Sequence, residues 1–124
     1  YVRSMEHDEY EICEPGTAQD PMRGVFSGVS RTNIERMDPR EGWFPEQKLT
    51  VWESIYYYTW GSAYGEHMEN LKGSLTVGRL ADFVIIDKDL FTIPVEQILQ
   101  AKVDYTVVGG RVVWDRAANK YGGP

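Results

Sequence analysis

The side chains that could do chemistry in this sequence are few and far apart. Cys13 is its only cysteine, and His7 and His67 are its only histidines. A protein zinc site takes three or four such ligands at short spacing, and these two histidines have no such spacing. An unpaired cysteine is more often a small core residue than a nucleophile, and it cannot form a disulfide within the chain. The chain alone is therefore predicted to hold no metal and to carry out no catalysis.

The charge balance excludes some partners. There are 19 acidic against 13 basic side chains, a net charge of −6, which disfavours nucleic acid because phosphate binding needs a basic face. The acidic cluster Glu6, His7, Asp8 and Glu9 is typical of a solvated face, although it could hold a cation loosely. No apolar run approaches the ~18 residues of a membrane span, and no signal peptide opens the chain. We expect a cytoplasmic protein without membrane partners, and the start at Tyr1 suggests a piece of a longer chain.

Two helices are predicted from their start signals. Asp20 before Pro21 suits an N-cap followed by a proline at the first helical position, in a helix over about 21–33. Thr50 and Glu53 form a capping box that starts a second helix over about 50–64. Helical spacing places one stripe of the second helix on Trp52, Ile55, Tyr56, Thr59 and Ala63.

The second helix is rich in aromatic residues, which suggests two interpretations. A ring-binding surface is one, but aromatic residues at helical spacing are more often core. We therefore predict packing, with outward rings meeting a missing part of a larger protein. The residues concerned are Trp52, Tyr56, Tyr57, Tyr58, Trp60 and Tyr64.

The second half of the chain has the features of strands and turns. Val103 to Val108 and Arg111 to Trp114 alternate around Gly109-Gly110, which predicts a hairpin over 103–115 with a two-residue turn. A short helix is expected from Val95 to Ala101, and residues 117–124 have no periodicity and are predicted to be a tail.

The most informative stretch is residues 72–87, which read KGSLTVGRLADFVIID. Ser74 to Val77 favours extended structure, Gly78 allows a turn, and the apolar run Phe83 to Ile86 fits a buried strand. Asp82 and Asp87 flank that strand, and structural turn roles are expected for both rather than catalysis. This sequence closely resembles the C-terminal part of the amidohydrolase superfamily.

Three further blocks support the resemblance. Asp20-Pro21 with Gly24 to Arg31 is similar to the last barrel helix of one branch, which includes the N-substituted formamide deformylases. Residues 44–64 resemble its PEQ-x-LT-x-x-EA…YT…AAY segment, and Thr106 to Val113 resembles its closing TVVGG-x-VV hairpin.

The resemblance implies an α+β chain: the last helices of a TIM-barrel hydrolase followed by C-terminal strands of the amidohydrolase β-sandwich. Residues 1–72 would be the remnant of the last barrel β/α unit, residues 73–116 the sandwich strands, and residues 117–124 the tail. In such enzymes the strands pair with strands from the N-terminal end, and a sheet without them would keep an open edge. The expected partner is therefore the remainder of the hydrolase, or another copy in a homo-oligomer.

The chemistry implied by the resemblance is hydrolysis of C–N bonds in non-peptide amides at a metal centre. Zinc or another divalent metal would activate water in the complete parent enzyme, while all but one of the family's ligands would lie upstream of Tyr1. Cys13 falls where the eighth-strand Asp is expected, and Glu14 could replace that Asp only if the loop slips by one residue. The alternative is a stand-alone, non-catalytic remnant or interaction domain of amidohydrolase descent.

Overall fold

The computed structural model describes residues 20–121 of the chain. Its helices are α1 (Pro21–Ser30), α2 (Val51–Tyr56) and α3 (Ser62–Gly65), with 3-10 helices at Pro45–Gln47 and Val95–Gln100. Its strands are β1 (Phe83–Ile86), β2 (Val103–Val108), β3 (Arg111–Asp115) and β4 (Lys120–Tyr121). The predicted α+β class is confirmed. Within the described range, no helix is long and apolar enough to cross a bilayer.

Helix α1 begins as the sequence predicts and ends earlier. The Asp20 carboxylate accepts a hydrogen bond from the Met22 N–H at 3.0 Å, and Pro21 occupies the first turn. The helix stops at Ser30 rather than near residue 33, because Arg31 takes a left-handed conformation with φ 52°. A left-handed residue at this position is a common way to end a helix.

Helices α2 and α3 are joined by a π-helical turn over Tyr57–Gly61, and together they form one long helix. The predicted capping box is present: the Thr50 hydroxyl accepts from the Glu53 N–H at 3.1 Å, and the Glu53 carboxylate accepts from the Thr50 N–H at 2.8 Å. A π turn contains more residues than an α turn and shifts the phase of everything after it.

The inward face of the long helix agrees with the predicted stripe at Ile55 and Ala63 and differs from it at Ser54, Trp52 and Thr59. Ser54 and Ala63 are buried, each 1% exposed, and Ile55 packs on the core. Trp52, expected on the inward stripe, is 60% exposed, and Thr59 is also exposed. Trp52 precedes the π turn and stacks on Tyr56 at the surface instead of entering the core. The small side chain of Ala63 also lets the helix lie close to the backbone of Gly73.

The hydrophobic core lies between α1 and the 3-10 helix Val95–Gln100. Phe26 and Ile98 are its largest fully buried side chains, at 1% and 0% exposed. The full buried cluster is Met22, Val25, Phe26, Leu90, Ile98 and Ala101. The core is therefore built from elements on either side of strand β1.

The four strands form one antiparallel sheet in the order β1-β2-β3-β4. The β2–β3 connection is the predicted two-residue turn, with Gly109 at φ 57° and Gly110 at φ 76°. Two consecutive residues with positive φ are the requirement of a type I′ turn, which glycine meets without strain.

Two segments differ from the sequence-based expectation. Residues 74–77 are not a strand: Leu75 and Val77 are 78% and 101% exposed, so they have no packed surface to favour extended pairing. In the predicted tail, β4 pairs with β3, Trp114 opposite Tyr121. The Asp115 carboxylate caps the intervening turn by accepting from the Ala117 N–H at 2.9 Å, which returns the chain to the sheet.

Candidate functional site

The residues predicted at the family's metal site, Cys13 and Glu14, lie outside the described residues, as does His7. The nearest described carboxylate is Asp20, which is used as the N-cap of α1. The described chain that follows the predicted position of Cys13 and Glu14 therefore begins with the capped helix α1.

His67 is not grouped with other potential metal ligands among the described residues. It follows the long helix with φ 58°, and its N–H donates to the Tyr64 carbonyl at 3.0 Å. Over residues 20–121, no group of three His, Cys, Asp or Glu side chains is placed to hold a metal ion. The described residues thus do not fit a zinc centre, and no step of a metal-assisted reaction is assigned to them.

Asp82 joins the motif at residues 72–87 to the hairpin turn. Its carboxylate accepts a hydrogen bond from the Gly109 N–H at 2.7 Å, and the neighbouring Ala81 carbonyl accepts from the Gly110 N–H at 3.0 Å. Both turn amides are therefore bonded to the chain just before β1. This is the structural turn role that the sequence predicts for Asp82.

Asp87 has the same kind of role at the other end of β1. Its carboxylate accepts from the Lys102 N–H at 2.9 Å and pairs with the Arg116 guanidinium at 3.2 Å. The hydrogen bond from the Lys102 backbone, aided by the charge of Arg116, holds the pKa of Asp87 below its ordinary value. Arg116 also pairs with Asp104 at 2.5 Å, so one guanidinium connects β2 with the residues that follow β1 and β3.

Two arginines are organising residues that sequence reasoning missed. Arg79 donates to the carbonyls of Glu69 and Lys72, the latter at 3.0 Å, and closes the loop before β1. Arg116 connects β2 to the residue that follows β1 through its ion pairs with Asp104 and Asp87. The only available signal was position: Arg79 directly follows Gly78, and Arg116 follows the hairpin.

The same loop contains a close backbone approach. A Cβ on Gly73 would lie 2.7 Å from the Cβ of Ala63, and Gly73 has φ 88°. Both features require glycine at this position. The loop before β1 is therefore held directly against the long helix.

A cleft of about 420 Å³ lies beside α1 and the 3-10 helix Val95–Gln100. Phe26 is part of its apolar wall, and Glu96 is the only carboxylate among the described residues that line it. Its hydroxyls are engaged: the Ser30 Oγ accepts from the Thr32 N–H at 3.1 Å, and the Thr32 Oγ1 donates to the Ser30 carbonyl at 3.2 Å. Both hydroxyls are therefore bonded to neighbouring backbone groups.

The motif at residues 72–87 consists of contacts that build turns, and a comparison with known families identifies the family in which it occurs. The model of the amidohydrolase family matches residues 13–114. The chain belongs to this family.

Two curated relatives are similar to this amidohydrolase-family chain. "Putative amidohydrolase YtcJ" of Bacillus subtilis (strain 168) is 31% identical over 99 residues, which are 79% of this chain and 18% of that protein. Protein LONG AFTER FAR-RED 3 of Arabidopsis thaliana is 28% identical over 86 residues, 68% of this chain and 15% of that protein. The segment thus spans less than a fifth of the length of either relative. No solved structure matches it.

The aromatic residues of the long helix form a surface feature of this amidohydrolase segment. Trp52, Tyr56, Trp60 and Tyr64, which we call the aromatic ladder, stack in sequence with ring centroids 5.1, 5.2 and 5.1 Å apart. The planes of successive rings differ by 13°, 19° and 18°. The end rings Trp52 and Tyr64 are 60% and 55% exposed, so the packing predicted for these residues occurs among themselves rather than in the core. The spacing of four residues was the signal for this arrangement.

Proposed function

We propose that this chain is the C-terminal part of a metal-dependent hydrolase acting on C–N bonds of non-peptide amides. The observation that carries the proposal is the family match over residues 13–114, in a chain that covers less than a fifth of its curated relatives. A segment of this share leaves most of a hydrolase, including the histidines of a metal site, to be supplied upstream. The branch we propose is the one resembling the N-substituted formamide deformylases, and we propose a cytoplasmic location.

The same match supports the architecture that we propose for the parent. Helix α1 and the long helix would belong to the last unit of a TIM barrel, and strands β1 to β4 to a β-sandwich. The outer edge of β1 supports this proposal, because β1 ends the sheet and has Val84 and Ile85 49% and 47% exposed. An apolar edge strand of this kind is normally covered or paired in a complete protein. We propose that a strand from the remainder of the hydrolase pairs with it.

The segment itself is proposed to be non-catalytic. Asp82 and Asp87 are occupied by backbone and arginine contacts, and the described residues offer no donor set that fits zinc or another divalent ion. In the parent, the metal would lower the pKa of a bound water and so make the nucleophile. This chain would contribute the capped helix α1 and the sheet that follow the site.

The test compares the 124-residue chain with a longer polypeptide that carries the upstream segment. We expect the longer protein to hydrolyse an N-formyl or N-acyl amine, to lose activity with a chelator, and to regain it with Zn²⁺. The 124-residue chain should bind no stoichiometric zinc in elemental analysis and should show no turnover. Chelator-sensitive turnover by the 124-residue chain would contradict the proposal.

A second candidate function is a stand-alone interaction domain of amidohydrolase descent, and the exposed aromatic ladder favours it. The upstream sequence separates the two candidates. A His-x-His pair with two further histidines favours the enzyme, and their absence favours the interaction domain.

A further inference from the structure

The aromatic ladder leaves a particular kind of surface free. Each inner ring is stacked on a neighbour at both faces, since Tyr56 lies between Trp52 and Trp60, and Trp60 lies between Tyr56 and Tyr64. A sugar or a flat ligand needs a free ring face, and only the outer faces of the two end rings remain. The free surface is therefore mainly a row of ring edges, which suits contact with a protein surface.

Three of the four ladder rings lie in a stretch without charge, and Trp52 lies just before it, next to Glu53. Residues 54–65 contain no Asp, Glu, Lys or Arg, although 26% of the whole sequence is charged and its net charge is −6. In a two-fold interface the same patch meets itself, so any charge on it would face its own copy. Like charges facing each other oppose association. An uncharged ladder on an acidic protein is compatible with contact between two copies.

The size of the patch is sufficient for the centre of such an interface. An aromatic side chain buries ~150–250 Å² when fully covered. The end rings Trp52 and Tyr64 are more than half exposed and the inner rings Tyr56 and Trp60 are half-buried, so the ladder would supply roughly a third to a half of the ~800 Å² per partner found in a standard interface. Tyr57, 43% exposed, packs edge-on against Tyr56 with ring centroids 6.0 Å apart and can extend the patch.

We propose that the aromatic ladder is the core of a two-fold interface between two copies of this chain. The interface uses the long helix and leaves the open edge of β1 available to the remainder of the hydrolase. It does not depend on the hydrolytic function proposed above, because no residue of the ladder is assigned a part in that chemistry.

The test is a charge exchange across the interface, read by sedimentation velocity over a wide range of protein concentration. The unchanged chain should approach twice its 14.2 kDa mass as concentration rises. One variant carries Trp52→Glu with Tyr64→Glu, and the other carries Trp52→Lys with Tyr64→Lys. Each variant alone should stay monomeric, because like charges meet whichever way the two helices run. An equimolar mixture of the two should form a heterodimer.

Trp43→Glu is the matched control. Trp43 is 60% exposed, as Trp52 is, but lies in the loop after α1 and packs edge-on against Phe44. This variant should dimerise as the unchanged chain does, and far-UV circular dichroism should show all variants folded. Should a charged ladder variant fail to fold, Trp52→Ser with Tyr64→Ser provides an uncharged disruption, expected to weaken dimerisation at least tenfold.

Several results would overturn the proposal. The unchanged chain could stay monomeric at all concentrations, the mixture of charged variants could fail to associate, or Trp43→Glu could dissociate the dimer equally. In a longer hydrolase, loss of folding by the ladder variants with an unchanged oligomeric state would assign the ladder to an intramolecular contact. Saturable binding of a ring-shaped ligand by the monomer would assign it to a ligand site instead.

Discussion

Replacing Asp82 tests whether the family motif is structural. The Asp82 carboxylate accepts from the Gly109 N–H at 2.7 Å, across 27 residues of sequence. Hydrogen bonds to charged groups contribute about 1.5–3 kcal/mol, and partial exposure of this one reduces the expectation to about 1–2 kcal/mol. Asp82→Ala should lower the free energy of unfolding by that amount. Asp82→Asn keeps an acceptor oxygen without the charge and should lose about half as much.

The assay is urea unfolding at neutral pH, followed by far-UV circular dichroism, with Glu35→Ala as the control. Glu35 is exposed, so its replacement should change stability by no more than about 0.5 kcal/mol. In a longer hydrolase, Asp82→Ala should reduce the folded fraction and leave the kcat of the folded protein unchanged. A drop in kcat without a change in stability would refute the structural assignment, as would an Asp82→Ala variant as stable as the control.

Further changes test the core, the loop before β1 and the sheet. Ile98→Ala should lower the free energy of unfolding by about 2–5 kcal/mol in urea titration, because Ile98 is fully buried. Gly73→Ala should lower it by roughly 1–3 kcal/mol in the same assay, because its Cβ would lie 2.7 Å from that of Ala63 at φ 88°. The hydrogen bond from the Lys102 N–H lowers the pKa of Asp87 in the folded state. The stabilisation that Asp87 provides is therefore complete above pH ~3.9, the ordinary pKa of an aspartate, and is lost as the pH falls through the lower pKa of the folded state. Asp87→Asn should flatten this acid-side loss in unfolding curves measured against pH, and an unchanged pH dependence would contradict it.

Local chemistry in the sequence predicted the start of each helix and the hairpin turn. The Asp20 cap, the Thr50 and Glu53 capping box and the Gly109-Gly110 turn each depend on residues within three positions of one another. Such contacts form wherever the chain takes that local shape, so the residue types suffice to predict them.

The parts that sequence reasoning missed depend on distant contacts. Val77 has a side chain that favours strands, but it is fully exposed in a segment without strand structure. No packed surface or strand partner therefore stabilises an extended backbone there. Ala63 is buried as the predicted stripe requires, but Trp52 of the same stripe is 60% exposed, and Ser54, which the stripe does not include, is buried. A periodicity argument places large apolar residues inward, but Trp52 stacks on Tyr56 at the surface while the small Ser54 faces inward.

The residues that reveal the family also explain why the family is evident and the substrate is not. Gly73 allows a close approach, Gly78 has φ 91°, and Asp82 and Asp87 bind backbone amides at the two ends of β1. Each of these roles is fulfilled by contacts within the segment itself. None requires a particular molecule in an active site. A motif made of such residues determines how the chain turns and pairs, so it carries the same information for hydrolases of different substrates. Substrate specificity depends instead on side chains that face a bound molecule, whereas Gly73, Asp82 and Asp87 are engaged with the chain itself.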